Sequence, residues 1–248
     1  MAGPIPVLTN GQSSSIGIWD TGATAGLTVG TRGTLDDGRV YYYARNSGSA
    51  ALVAGNLLIS EVVNSANEDI AVNTATAGDT SITITSGTAT ANANDFARGY
   101  VMVIDELGEG ITYQIASHPA ITATAAIAIA LVHPVNVTFH VDATVVLVKN
   151  PWMDVVISAT GQAKLPAGVS QVAVAAGDSN AQFFWCQTWG ICAGWQDEAS
   201  AIGAELVIGS GVAGQFEAQD AVAELVCAWE VFTGSIGEYQ PVFLRIAP

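Results

Sequence analysis

"ITATAAIAIALVHPVNVTF", residues 121–139, decides between a membrane-spanning chain and a β fold. A spanning helix needs about 20 consecutive apolar residues. Here Thr122, Thr124 and the His133-Pro134 step break the apolar run. Ile127, Ile129 and Leu131 alternate with alanines, the period-two pattern of a strand, whose successive side chains point to opposite faces. The stretch therefore reads as strand, and the chain as one that does not enter a membrane.

The same period runs outward in both directions. Upstream, "RVYYYAR" (residues 39–45) places Val40, Tyr42 and Ala44 on one face and Tyr41 and Tyr43 on the other, and "NLLISEVV" follows after a Gly/Ser-rich turn. "TSITIT", "GYVMVIDE" and "GITYQIAS" alternate likewise, and "DELGEG" (residues 105–110) supplies the polar, flexible residues of a hairpin connection. Downstream come "VNVTFHV", "TVVLV" and "DVVIS", with "KNPWM" as a Pro-containing connection between the last two. "AQFFWCQTWGICAGW", "AELVIGS" and "EYQPVFLRIAP" continue the series. Residues 218–232 read as a strand pair, and "TGSIG" reads as a hairpin loop into the last strand. Short strands with almost no helical periodicity predict an all-β fold, a sandwich or barrel-like domain of short antiparallel strands. Residues 1–35, rich in Gly, Ser, Thr and Pro, predict an extended N-terminal arm. Residues 36–248 form the β-rich body, with residues 64–118 either a separate subdomain or an insertion in one continuous sandwich.

Of 248 residues, 50% are hydrophobic and 12% charged, so the chain has ample material for a core and a surface poor in charge. Such a surface suits an oligomer or an assembly component. Seven Lys and Arg stand against 22 Asp and Glu, a formal net charge of −15 that repels nucleic acid and anionic membranes. Arg32, Arg39 and Arg45 fall close together, a candidate seat for an acidic partner. Three cysteines without CxxC spacing suggest neither a disulfide framework nor zinc, and "MAGPIPVLTNGQ" lacks a basic start and an apolar core, which predicts no secretory signal.

Candidate chemistry is sparse. Asp20-Thr21-Gly22-Ala23 matches the tetrapeptide of aspartic proteases, but that chemistry needs two carboxylates sharing a proton. "LDDG" at residues 35–38 lies too near, and "GDSN" at residues 177–180 lacks the required glycine. Asp20 therefore reads as a turn former accepting backbone N–H bonds, and Trp19 beside it as an anchor for a neighbouring subunit. Asp105, Glu106 and Glu109 lack the alternating ligands of a calcium loop. His118, His133 and His140 are not spaced as a metal cage, and no serine nucleophile elbow or phosphate loop occurs. No enzyme, metal or cofactor is expected. What remains is aromatic: Tyr41, Tyr42, Tyr43, Trp152, Phe183, Phe184, Trp185, Trp189 and Trp195, mostly core by default, with a glycan-binding platform as the alternative use.

The succession "GTLDDGRVYYYARNSGSAALVAGNLL", "GEGITYQIASHPA", "QFFWCQTWGICAG" and "GEYQPVFLRI" resembles the capsid decoration, or cement, proteins of tailed bacteriophages, in style and segment order from about Gly33 onward. The resemblance implies a non-enzymatic virion protein, made in the host cytoplasm. It would sit as a homotrimer on the outer capsid face and bind the major capsid protein to bridge capsomers. The alternative is a surface-displayed host-attachment or glycan-binding β module. Trp19, Arg32, Arg39, Tyr41, Tyr43 and Arg45 are the candidate interaction residues.

Overall fold

Alternation is realised in backbone hydrogen bonds. The structure is a computed structural model and describes residues 6–9, 12–61, 64–88, 90–140, 142–160, 165–176 and 181–248. Its strands are Pro6–Thr9 (β1), Gln12–Gly17 (β2), Arg32–Thr34 (β3), Val40–Arg45 (β4), Leu57–Ile59 (β5), Ile70–Thr74 (β6), Ser81–Thr85 (β7), Tyr100–Val103 (β8) and Thr112–Ser117 (β9). They continue with Ala126–Leu131 (β10), Thr144–Val148 (β11), Val156–Ile157 (β12), Pro166–Ser170 (β13), Phe183–Trp195 (β14), Glu205–Ile208 (β15), Phe216–Ala218 (β16), Ala228–Glu230 (β17) and Tyr239–Arg245 (β18). The only helical turn among the described residues is a single 3-10 turn, Ser65–Asn67, capped by the Asn64 side chain. The fold is all-β.

The chain forms two compact units, Met1–Glu61 with Pro151–Pro248, and Val62–Asn150. The second is a closed antiparallel barrel in the order β10-β7-β6-β11-β8-β9. Ile127, Ile129 and Leu131 of β10 point inward while Ala126 and Ala128 face out, and Ile82, Ile84, Val145 and Leu147 meet them in the core. Each such side chain contributes about 1.5–3 kcal/mol when removed from water. β8 and β9 form the hairpin around "DELGEG". The unit outruns the 64–118 span read from sequence because β10 and β11 are needed to close the barrel.

"VNVTFHV" is not a strand among its described residues. Val135 and Phe139 do bury into the barrel core, as their alternation implies. Their N–H groups, however, bond to the carbonyls of Asp79 and Ala75 near the β6–β7 connection, so no ladder forms.

In the first unit the sheet runs β16-β15-β17-β18-β14-β4-β3-β1-β2, with β13 pairing β14 and β5, and β5 pairing β12. Leu57, Ile59 and Val169 from the β5–β13 branch pack with Leu206, Phe216, Val242 and Leu244, giving a sandwich-like core. Residues 218–232 do not form the expected strand pair: they hold only the last residue of β16 and all of β17, each of which pairs with β15 and not with the other, while "TGSIG" does join β17 to its antiparallel neighbour β18. Residues 6–34 are not a free arm in their described part. β3 pairs with β4 through Arg32↔Tyr42 and Thr34↔Val40, β1 and β2 extend that edge, and Ile18 is buried beside Tyr41, Tyr43 and Trp185.

Candidate interaction surface

β14 is thirteen residues long, and its two halves live in different surroundings. From Phe184 to Thr188 every residue is buried, whereas from Trp189 onward exposure alternates. The change falls at a bulge, where the register against β4 slips between Gln187 and Trp189. Gly190 follows with φ +87°, and a Cβ there would stand 3.0 Å from the Arg39 side chain, so this kink requires glycine.

Beyond the bulge, β14 pairs with β18, setting Trp189 opposite Arg245, Ile191 opposite Phe243, Ala193 opposite Pro241 and Trp195 opposite Tyr239. β17 adds Trp229 opposite Phe243, and β15 adds Glu205 opposite Trp229. The intervening residues Cys192, Val242, Leu244, Ala228 and Leu206 face the core. The other face is therefore a continuous aromatic and aliphatic surface. Ile191 is 46% exposed and Tyr239 49%.

Ring geometry ties this surface together. Trp189 meets Phe243 edge-on at 5.5 Å, Trp229 lies 6.1 Å from Phe243, and Trp195 stacks on Tyr239 at 6.3 Å. The Arg245 guanidinium covers the Trp229 ring at 3.9 Å and stands 3.9 Å from the Glu205 carboxylate. The two charges on the surface thus offset each other, and the arginine is partly held by the ring.

The sequence candidates fall elsewhere. Trp19 is 57% exposed in the turn after β2. In that turn the Asp20 carboxylate accepts the Gly17 N–H at 2.7 Å, the expected turn-forming role. Gly22 pairs by backbone with Phe183, which makes the protease-like tetrapeptide part of the sheet margin. Gly177 to Asn180 lie outside the described residues.

Tyr41 and Tyr43 are corrected from contact residues to core. Both are buried with Ile18, Leu35 and Trp185; the Tyr41 hydroxyl donates to Gln187 Oε1 at 3.1 Å, and the Tyr43 hydroxyl accepts the Gly26 N–H at 3.1 Å. Arg39 pairs with Asp37 at 2.7 Å, Arg45 with Asp154, and Arg32 Nε donates to the Pro248 carbonyl at 3.1 Å. The three arginines hold this chain together and do not form one open cationic seat. Trp152 stacks on Tyr42 at 3.7 Å and donates to the Ala167 carbonyl, so it belongs to the packing.

Among the described residues no group of three or more His, Cys, Asp and Glu is arranged to hold a metal ion. Cys186, Cys192 and Cys227 are free and buried, and burial pushes their thiols up, away from the reactive thiolate. No helix of the described residues is long and apolar enough to cross a membrane.

Trp229, Tyr239, Phe243 and Ile191 were missed as surface residues. Ile191 had a signal in the i, i+2 spacing of Trp189, Ile191, Ala193 and Trp195, and Tyr239 and Phe243 in their own even spacing along the last strand, which marks one face without saying whether that face is covered. Comparison with known protein families, curated proteins and solved structures gives no match for this chain.

Proposed function

We propose that the protein is a non-enzymatic structural component of a virion, a capsid decoration protein that bridges capsomers on the outer face of a tailed-phage head. The observation that carries this reading is the exposed aromatic face of β14, β18 and β17. Contiguous apolar patches beyond a few hundred Å² are uncommon on proteins that act alone. Trp, Tyr and Phe packed edge to edge, with Arg245 among them, have the composition of an interface centre. A stable contact needs about 1,000 Å² or more of buried area, and a broad sheet face is suited to supply it. The segment-order resemblance adds the capsid as partner and a homotrimer as the assembled form.

The test is co-sedimentation with expanded phage heads together with the native mass. The expected outcome is saturable binding of a trimer, weakened by the double variant Trp229→Ala, Phe243→Ala, and heads that burst more readily without the protein. Normal head stability in its absence would sink the proposal.

A second reading has its own support. Trp195 and Tyr239 stack with their planes 26° apart, beside Glu238 and Gln240, whose side chains hydrogen-bond at 3.3 Å. Aromatic rings flanked by a carboxylate and a carboxamide are the chemistry that binds a neutral sugar. Glycan binding abolished by Trp195→Ala would favour a host-attachment module.

A further inference from the structure

Glu230 is a charged residue type on the core side of β17, opposite buried Val242 on β18. Its Oε2 accepts the Ser200 hydroxyl at 2.5 Å, while its Oε1 is buried with no hydrogen-bond partner. Its backbone joins the same two segments, accepting the Gly203 N–H at 2.8 Å and donating to the Ala204 carbonyl at 2.9 Å. Gly234 closes the cluster from the next loop. Its N–H donates to the Ser200 carbonyl at 2.9 Å, and a Cβ on it would lie 2.2 Å from Ser200 Oγ and 3.1 Å from Glu230 Oε2. Gly234, in the middle of the loop 231–238, is thus pressed onto Ser200 over one carboxyl group, while the end of the loop is tied to Gln196 through Gly237 and Glu238.

We propose that the Glu230 carboxyl is a proton-operated latch, holding the middle of the loop 231–238 against residues 200–204 when protonated and loosening that contact when it ionises to solvent. An ionised carboxylate with one orphaned buried oxygen is costly, whereas the acid form carries no charge. Opening the loop lets water reach the carboxylate. Burial accordingly raises its pKa above the usual carboxylate value, with the Ser200 hydroxyl and the Phe232 N–H offsetting part of the effect.

No charged side chain among the described residues of the packed elements counters this. Glu205 on β15 and Arg245 on β18 pair on the opposite face, Asp197 accepts the Gly211 N–H, Glu198 accepts the Ala218 N–H, and Glu238 is exposed beside Gln240. The sign follows: a raised folded-state pKa gives closure that is complete at low pH and lost as pH rises through that value. The loop carries Phe232, 61% exposed, and Ile236, 73% exposed, and runs into Tyr239. Its release therefore repositions apolar groups at the end of the aromatic face, a consequence that rests on reading that face as a binding surface; the latch itself does not.

Hydrogen exchange at the Gly203 and Gly234 amides tests the latch in the full chain. After correction for intrinsic exchange, protection is expected to fall about tenfold between about pH 4 and about pH 8. The fall is absent in Glu230→Gln. In Ser200→Ala, which loses the hydroxyl that favours the ionised form, its midpoint moves to higher pH. A flat wild-type profile, an equal fall in Glu230→Gln, or an unmoved Ser200→Ala midpoint would each overturn the proposal. The last decides the matter if Glu230→Gln does not fold. Head binding is a separate readout, so failure of the capsid reading leaves these outcomes unchanged.

Discussion

Asp20 and Trp19 are neighbours with opposite jobs. The Asp20 carboxylate satisfies the Gly17 N–H within its own turn, while the Trp19 ring has little of this chain around it. Replacing Trp19 by Ala is therefore expected to leave the urea midpoint within about 0.5 kcal/mol of wild type and to weaken assembly. Asp20→Ala has the reverse profile, a loss of about 1 kcal/mol and unchanged assembly. Denaturation beside native-mass measurement separates the two. Tyr41→Phe addresses the corrected pair: it strands the buried Gln187 Oε1 without removing a contact from any surface. Its expected cost is about 1–3 kcal/mol with head binding intact, checked by the same two measurements.

At the scale of elements, β10 is the clearest case of pattern becoming packing. Ile129 points into the barrel and Ala128 out of it. Ile129→Ala is expected to cost about 2–5 kcal/mol and Ala128→Ser within about 0.5 kcal/mol, measured by urea denaturation. The turn before β8 depends on His118 after β9. His118 Nε2 accepts the Phe96 N–H at 2.9 Å, and Nδ1 faces the Pro119 carbonyl at 2.7 Å, which fixes the Nδ1–H tautomer. Burial lowers its pKa below the usual 6.5, and protonation would replace the acceptor with a second donor. The folded state thus binds the proton less well than the unfolded one. The stability this group contributes is present above pH 6.5 and is lost as pH falls through the lowered folded value. His118→Gln, which keeps an acceptor without a proton to take up, is expected to flatten that acid dependence of the urea midpoint.

For the whole molecule, a net charge of −15 sets the terms of association. Copies of the chain repel one another except through a face where charge is low, and the β14–β18–β17 face carries Glu205 and Arg245 as an offsetting pair. Added salt screens the repulsion within a Debye length of about 10 Å at 0.1 M, so self-association through this face is expected to strengthen with salt. Analytical ultracentrifugation across a salt series checks this; weakening with salt would place a charge pairing, and not the aromatic face, at the interface.

The sequence by itself determined the strand period, most strand positions, the hairpins at "DELGEG" and "TGSIG" and the turn role of Asp20, because each depends on a few neighbouring residues and on side chains alternating across a pleat. It misread "VNVTFHV" because alternation reports which side chains turn inward, not whether the backbone finds a ladder. Closure of the barrel by β10 and β11 and the joining of residues 6–34 to the sheet are pairings between distant segments, to which local pattern is blind. The same holds for the sorting of aromatics. Tyr41 and Tyr43 became core because they pack with Ile18, Leu35 and Trp185, while Trp189, Trp195 and Trp229 on the outward side of β14 and β17 keep part of their surface exposed. Burial belongs to whatever the rest of the chain lays over a residue, and only the tertiary structure decides that.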